Sequence, residues 1–368
     1  MNYKVAILLG VVMVVIGGFF TYKTLIPSQT GEIILNGAGA SFPFPLIDKW
    51  ISVYHKIKPD VQLNYQSIGS GGGIRQHTEK TVQFAASDAP LTPAQSIAAP
   101  NSLHIPMTIG GVAIIYNIPG VPIGLRFTGE VLADIYLGKI KRWNDPRIVE
   151  LNPAMRLPDS DILVVYRTDG SGTTYIWTNY LSEMSVEWKT TVGKGTSVKW
   201  PTGIGGKGNE GVAGLVSQNP FSIGYVEYIY AVKNNLTWGA VRNAAGEFIE
   251  PSIESFARAA SYAAVTLPKG DADWSKVSIV ESIVNNTRAF GAYPITSFSY
   301  FIVYKELNVL PDMNEAKARA LAEFLWWTIH DGQKYSADLH YVPLPEDVVK
   351  HNEETIRMMT FNGKNLTR

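Results

Sequence analysis

Polar and apolar residues alternate with two different periods along most of this chain. Every second residue from Val61 to Tyr65 is apolar, which predicts a strand over 61–68. From 45 to 57 the apolar residues recur at helical spacing instead. Strand and helix patterns alternate in this way down the chain, which predicts an α/β fold. Further strands are predicted over 32–36, 112–116 and 162–166, and further helices over 71–81, 173–184 and from the Asp312–Glu315 segment up to Gly332.

Capping residues mark the two ends of the last of these helices. Asp312 and Glu315 have the spacing of a capping box that opens this helix. Gly332 follows the last apolar position of the helix and is expected to end it.

The N-terminus carries a separate apolar segment. Residues from Val5 to Phe20 are all apolar or glycine, with Lys4 before them and Lys23 after them. The run lies between a signal-peptide core and a short membrane span in length, and no clear cleavage site follows it. We favour an export signal that is retained as a hydrophobic anchor helix over 5–26, rather than a cleaved signal. This predicts an extracytoplasmic protein, at the cell surface or in the periplasm, with 1–30 as signal, anchor and linker.

Composition excludes several classes of function. The chain has 32 basic and 32 acidic residues, so it lacks the basic excess of a nucleic-acid binder. It has no cysteine, which excludes disulfides and thiolate metal sites. Its six histidines do not follow any metal-ligand spacing. We therefore predict no metal, no cofactor and no nucleic-acid partner, and any anion site must be built from few charges.

Three segments share one design for binding an anion. Residues 37–43, 69–73 and 167–173 are rich in glycine, serine and threonine, and each lies between a predicted strand and a predicted helix. The first N–H groups of a helix have no internal partner and lie at its positive end. Glycine lets backbone approach a ligand, and hydroxyls add donors. Arg167 adds a planar fork suited to two oxygens of an oxyanion.

Other interpretations of these residues are weaker. Lys207 does not have Walker A spacing, and Ser171 is not in a nucleophile-elbow motif. Asp88 is a lone acid after a run of small residues. From composition alone it is better explained as a turn or helix cap.

At the level of motifs, the sequence resembles the phosphate-binding proteins of phosphate-specific ABC transport systems. The similar segments follow one another in the family's order over most of residues 35–300. They are GAGASFPFP (37–45), NYQSIGSGGGIRQ (64–76), FAASDAPLT (84–92), IGGVAIIYNIPG (109–120), DIYLGKIKRWND (134–145), RTDGSGTT (167–174), VKWPTGIGGKGNEGV (198–212), IGYVEYIYA (223–231) and YPITSFSY (293–300).

The resemblance implies a two-lobed periplasmic-binding-protein fold of type II, with a hinge and a ligand cleft between the lobes. Lobe I is expected to comprise 31–107 plus 293–368, and lobe II 108–292. The implied ligand is dehydrated inorganic phosphate, which a monomer delivers to the membrane permease subunits of an ABC importer. The residues implied to bind phosphate are Ser41, Phe42, Ser70, Asp88, Arg167, Ser171, Gly172 and Thr173.

Two roles in this set are specific. Asp169 is implied to hold Arg167 in a salt bridge, and Asp88 to accept the proton that phosphate carries. A buried carboxylate would lack a donor and repel a fully ionised sulfate. Ser41 stands where the best-known members have threonine, and both supply a hydroxyl.

Two other functions remain open from the residues. An extracytoplasmic phosphoester hydrolase could use the same anion site with Ser171 or a captured water, although no base is evident near it. A surface interaction module without transport is the other. We predict a receptor, with no catalytic residues.

Overall fold

The computed structural model describes residues 32–263 and 266–366, in which strands and helices alternate as predicted. The strands are β1 (Ile33–Gly39), β2 (Val61–Ser67), β3 (Phe84–Ser87), β4 (Ser102–Asn117), β5 (Leu125–Phe127), β6 (Leu163–Arg167), β7 (Ile204–Gly206), β8 (Ser222–Glu227), β9 (Thr237–Arg242), β10 (Phe248–Ile249), β11 (Thr296–Tyr304), β12 (Thr360–Phe361) and β13 (Lys364–Asn365).

The helices lie between these strands and after β11. They are α1 (Phe44–Ile57), α2 (Ser70–Thr78), α3 (Pro93–Ala98), α4 (Gly129–Tyr136), α5 (Pro146–Val149), α6 (Gly172–Met184), α7 (Val186–Thr191), α8 (Gly208–Gln218), α9 (Tyr228–Lys233), α10 (Ile253–Tyr262), α11 (Ile279–Ile283), α12 (Glu315–Ile329) and α13 (Glu346–Arg357). Three short 3₁₀ helices cover Leu307–Val309, Asp331–Tyr335 and Ala337–Leu339.

Strand β4 joins two parts of a curled mixed sheet. Neighbouring strands follow the order β2-β1-β3-β11-β4-β8-β6-β7, and β9 pairs with β4, β5 and β10. Residues Ser102–Gly111 of β4 pair antiparallel with β11, whereas Val112–Asn117 pair with β8. The two parts of the sheet are therefore continuous through one long strand.

Parallel pairing collects several strand ends at common edges. Strand β1 runs parallel to β2 and β3, and β6 runs parallel to β7 and β8. The segments that follow β1, β2 and β3 therefore leave the same edge of the sheet. These segments carry Ser41, Ser70 and Asp88, while Arg167 ends β6.

Aromatic clusters pack on both parts of the sheet. Trp50 of α1 and Phe301 of β11 lie 6.2 Å apart by ring centroids. In the other part, Trp177 of α6 lies 5.1 Å from Tyr136 and stacks on Tyr225 at 5.6 Å. All these rings are buried, and truncating such a ring to alanine typically costs about 3–5 kcal/mol of folding free energy.

Most predicted elements are confirmed within a few residues. The exception in length is β4, whose predicted part covered only 112–116. Apart from Asn117 the whole strand is buried, so it lacks the alternation that marks a half-exposed strand. The predicted capping box before α12 is wrong. Asn314 caps this helix and accepts from the Lys317 N–H at 2.9 Å, while Asp312 adopts a positive φ of 56°.

The predicted anchor helix over 5–26 and the linker to residue 30 lie outside the described residues. Within 32–263 and 266–366, none of the helices has the length and apolar character needed to cross a membrane.

Candidate anion-binding site

The first predicted loop places Ser41 and Phe42 at the start of α1. Both are buried. Tyr230 donates to the Ser41 carbonyl at 2.7 Å, and Tyr341 donates to the Phe42 carbonyl at 2.6 Å. Ser41 does not cap its own helix, contrary to its predicted position in the cap region. Its hydroxyl oxygen instead accepts from Asn209 Nδ2 at 2.9 Å.

The second loop brings Ser70 to the start of α2 and against the third loop. Gly69 precedes the helix with a φ of 83°, a conformation that glycine adopts without strain. The N–H of Gly71 donates to the Gly170 carbonyl at 2.8 Å. Ser70 itself is fully buried, and its hydroxyl oxygen accepts from the Asp88 N–H at 3.2 Å. The second and third predicted segments are therefore in direct contact.

The third loop forms the charged side of the site. Arg167 is buried and binds Asp169 through two bonds, Nε to Oδ1 at 2.8 Å and Nη2 to Oδ2 at 2.6 Å. Its third nitrogen, Nη1, lies 3.4 Å from Thr173 Oγ1. Asp169 also accepts from the Gly208 N–H at 3.0 Å. Burial alone would raise the pKa of Asp169, but the hydrogen bonds and charge of Arg167 outweigh burial and hold it below the usual value.

The start of α6 presents Ser171, Gly172 and Thr173. Ser171 is the helix cap, since its hydroxyl oxygen accepts from the Thr174 N–H at 3.0 Å. Gly172 faces the second loop so closely that an added Cβ would lie 2.4 Å from Ser70 Oγ. In the described part of the chain, the N–H groups of Ser70, Gly172 and Thr173 have no backbone acceptor. These amides remain as donors at two adjacent helix starts.

Asp88 lies between these helix starts and is 1% exposed. Its Oδ1 accepts from the Ser299 hydroxyl at 2.7 Å. Its Oδ2 has no hydrogen-bond partner within residues 32–263 and 266–366, and an added Cβ at Gly172 would lie 2.3 Å from it. Burial raises the pKa of Asp88 to about 7, against the opposing effects of the Ser299 hydroxyl, the Arg167 charge and the Ser70 hydroxyl. Asp88 is not a helix cap, because Thr92 caps α3.

The structure thus brings together all eight predicted binding residues and Asp169. We call the eight the cradle: Ser41, Phe42, Ser70, Asp88, Arg167, Ser171, Gly172 and Thr173. The cradle combines residues at three helix starts with one arginine and with Asp88, whose Oδ2 has no partner among the described residues. Such a set can hold a tetrahedral anion through neutral donors, with little net charge.

Two residues of this region were missed at the sequence level. Asn209 bridges Ser41 and Thr173 from the start of α8, and Ser299 donates to Asp88 from β11. Ser299 had a detectable signal, because a hydroxyl in a strand that is buried throughout needs a partner. Asn209 follows Lys207 by two residues, and its partners Ser41 and Thr173 are distant in sequence.

Comparison with known proteins identifies the family of this chain. The family model described as a PBP superfamily domain matches residues 27–331. A phosphate-binding protein PstS from Pasteurella multocida is 46% identical over 333 residues, covering 90% of this chain and 91% of the relative. The PstS from Haemophilus influenzae is 46% identical over 330 residues, covering 89% and 93%. The chain belongs to the PstS family of phosphate-binding proteins.

Solved structures of phosphate-binding proteins have the same fold as this PstS chain. A phosphate-binding protein from Stenotrophomonas maltophilia superposes with a TM-score of 0.65 at 18% identity, covering 89% of this chain and 94% of that one. An ABC-type phosphate transport receptor from Vibrio cholerae gives a TM-score of 0.54 at 17% identity, covering 84% and 100%. The predicted periplasmic-binding-protein fold is therefore confirmed.

Family membership also confirms the prediction of a receptor for phosphate import rather than an enzyme. PstS-type proteins are substrate-binding receptors. The hydrolase alternative gains no support from them. Within the described residues, the hydrogen bonds of Ser171 go to Thr174, Tyr175 and Thr196, and none goes to a histidine.

Proposed function

We propose that this protein is an extracytoplasmic receptor that binds inorganic phosphate in the cradle and delivers it to the permease of an ABC importer. The observation that carries the assignment is Asp88 Oδ2, a buried carboxylate oxygen without a partner in the described chain, facing Gly172 beside Ser70. A buried acceptor of this kind requires a donor from the ligand. Phosphate retains a proton at neutral pH, whereas sulfate does not.

The remaining cradle residues supply donors. Ser70, Gly172 and Thr173 offer backbone N–H groups in the first turns of α2 and α6, and Phe42 offers one just before α1. The hydroxyls of Ser41, Ser70, Ser171 and Thr173 add rotatable donors. Arg167 is the charged donor, fixed in orientation by Asp169. Affinity in this account comes from many short bonds to a dehydrated anion rather than from a large positive charge.

The cradle closes between two lobes in this proposal. Lobe I comprises 31–107 and 293–368, lobe II comprises 108–292, and the chain passes between them within β4 and again just before β11. Support comes from three contacts between residues assigned to different lobes. They are Gly71 with Gly170, Ser41 with Asn209, and Ser41 with Tyr230. Phosphate would stabilise the closed form because only that form brings both sets of donors together.

The protein acts in this proposal as a monomer at the outer face of a membrane. The N-terminal segment over 5–26 keeps it anchored there, or is removed as an export signal, and the folded part presents phosphate to the permease subunits. The basis for anchoring is the sequence pattern. Mass spectrometry of the native N-terminus decides between a retained and a cleaved segment.

Calorimetric titration of the full-length protein in mild detergent tests the function. At pH 8 we expect phosphate to bind with one site per chain, arsenate to compete because it also keeps a proton, and sulfate to fail as a competitor. Equal binding of sulfate and phosphate at this pH would refute the assignment of Asp88. Release of phosphate from a generic phosphoester, lost in Ser171→Ala, would favour an enzyme instead.

A further inference from the structure

Asn209 lies at the start of a fourth helix, α8, and contacts the cradle. It is the second residue of α8 and is 0% exposed. Its Nδ2 donates to Ser41 Oγ at 2.9 Å and to Thr173 Oγ1 at 3.2 Å, and its backbone N–H also lies 3.3 Å from Ser41 Oγ. Its Oδ1 accepts from the Glu227 N–H at 3.0 Å. One amide side chain therefore contacts a hydroxyl from each of two cradle segments.

The orientation of this amide is fixed by the Glu227 N–H. A backbone N–H can only donate, so the atom facing it must be the amide oxygen. Turning the amide over would set two donors against each other at 3.0 Å. The Nδ2 group must therefore point at the hydroxyls, with one N–H available for each of them.

This orientation determines the role of the two hydroxyls. Ser41 Oγ accepts from the backbone N–H and the Nδ2 of Asn209. Thr173 Oγ1 accepts from Asn209 and from Arg167 Nη1. A hydroxyl has two acceptor positions and a single proton. With its acceptor positions used, each hydroxyl has only its proton left, and among the described residues neither hydroxyl donates to a protein group.

We propose that Asn209 is a positioning residue for phosphate binding, which holds the Ser41 and Thr173 hydroxyls as donors directed at the anion. The inference rests on the proposed function, since it assigns the direction of two bonds within that site. Both hydroxyls would otherwise be free to rotate or to accept from the arginine or a neighbouring amide. Asn209 fixes them before the ligand arrives and thus lowers the ordering cost of binding.

Replacements of Asn209 separate positioning from mere packing. In Asn209→Ala the hydroxyls lose their orientation, and we expect phosphate affinity to fall about 10-fold. Asn209→Asp is nearly the same size and keeps the acceptor for Glu227, but a carboxylate accepts and does not donate. It should turn both hydroxyl protons away from the cradle and weaken binding more than Asn209→Ala, by roughly 100-fold. A packing role predicts the reverse order, because Asp fills the site better than Ala.

A double-mutant cycle measured by calorimetry at pH 8 tests the proposal. If Asn209 acts through the hydroxyls, the loss of phosphate affinity caused by Asn209→Ala should be smaller in Thr173→Val and in Ser41→Ala than in the wild type, by a factor of about three or more. Losses that simply multiply in both backgrounds would overturn the inference. Wild-type protein that does not bind phosphate would overturn the proposed function, and the inference with it.

Asn179→Asp is the matched control. Asn179 is also buried and donates to a serine hydroxyl, Ser278 Oγ at 3.0 Å, outside the cradle. It should leave phosphate affinity within about threefold of the wild type. The midpoint of thermal unfolding without phosphate is measured for each variant. Should Asn209→Ala not fold, the nearly isosteric Asn209→Asp still decides, since affinity equal to that of the wild type would refute the proposal.

Discussion

The two sides of the cradle handle charge in opposite ways. On the arginine side, Arg167 and Asp169 neutralise each other through two short bonds. On the aspartate side, Oδ1 of Asp88 accepts from the Ser299 hydroxyl, and Oδ2 has no partner in the described chain. The first arrangement is complete within the protein, and the second is completed only by a ligand that donates. Strength of binding and choice of anion therefore depend on different residues.

The pKa values follow the same division. The pKa of Asp169 is held below its usual value despite burial, because Arg167 lies against it. The pKa of Asp88 is raised to about 7 by burial, which the Ser299 hydroxyl and the more distant charge only partly oppose. Asp169 therefore stays ionised at every physiological pH, while Asp88 changes state near neutrality. Perturbed acids of this second kind are typical of functional sites.

The largest expected effect is on the arginine side. Arg167→Ala removes the charged donor and leaves the Asp169 carboxylate buried without its partner. Losing a buried, charged donor to a bound anion typically costs about 2–5 kcal/mol of binding free energy, so phosphate affinity should fall by roughly 100-fold or more. Calorimetry measures the loss. Arg142→Ala is the control, because Arg142 pairs with Asp159 at the exposed surface. A dissociation constant close to that of the wild type would contradict the assignment of Arg167.

A smaller but sharper effect is expected where the two sides meet. Gly172→Ala would place a methyl group about where the ligand must lie, 2.3 Å from Asp88 Oδ2 and 2.4 Å from Ser70 Oγ. We expect phosphate affinity to drop about 10- to 100-fold, since the donors must move apart. Gly214→Ala in α8 is the matched control, because no atom lies within 4 Å of its added Cβ. Equal affinity in the two variants would place the ligand elsewhere.

The smallest expected effect concerns a buried acid outside both sides. Glu227 is fully buried, its Oε2 accepts from the Ile229 N–H at 3.0 Å and lies 3.4 Å from the Tyr341 hydroxyl, and its Oε1 has no partner in the described residues. Burial raises its pKa well above the usual value, so the folded protein keeps Glu227 protonated where the unfolded chain ionises it. Stability from this group is full below the unfolded pKa and decreases as pH rises, by at most about 1.4 kcal/mol per pH unit.

Glu227→Gln should therefore flatten the dependence of unfolding free energy on pH between 5 and 8, with little change in anion selectivity. Denaturant unfolding at several pH values measures this. Glu346→Gln is the control, since Glu346 forms an exposed pair with Lys350. An unchanged slope in Glu227→Gln would show that Glu227 is ionised in the folded protein.

Physical chemistry applied to the sequence was enough to predict the segments that supply hydrogen-bond donors to the site. Glycine and hydroxyl residues between strand and helix signals identified the starts of α1, α2 and α6, and Arg167 stood beside the third. The same reasoning favoured a cap for Asp88. The surroundings of Asp88 depend on β11, which lies more than two hundred residues away in sequence and brings the Ser299 hydroxyl against Oδ1 of Asp88. Only the resemblance to phosphate-binding proteins gave Asp88 a role.

The fold was predictable to a similar extent. Local periodicity identified α1 and β2 because each buries one face and exposes the other. It found only part of β4, which is buried on both faces between β11 and β8. Asn209 was missed for a related reason, since its partners Ser41 and Thr173 are set by tertiary packing. No local pattern encodes such contacts.

Competition between sulfate and phosphate, measured by calorimetry in wild type and Asp88→Asn, tests the central claim most directly. At pH 8 the wild type should exclude sulfate, because ionised Asp88 offers it no donor. Near pH 6, protonated Asp88 can donate, and sulfate should begin to compete. Asp88→Asn should bind sulfate at both pH values, since the amide always carries donors. Exclusion of sulfate by Asp88→Asn at pH 8, as strong as in the wild type, would contradict the account.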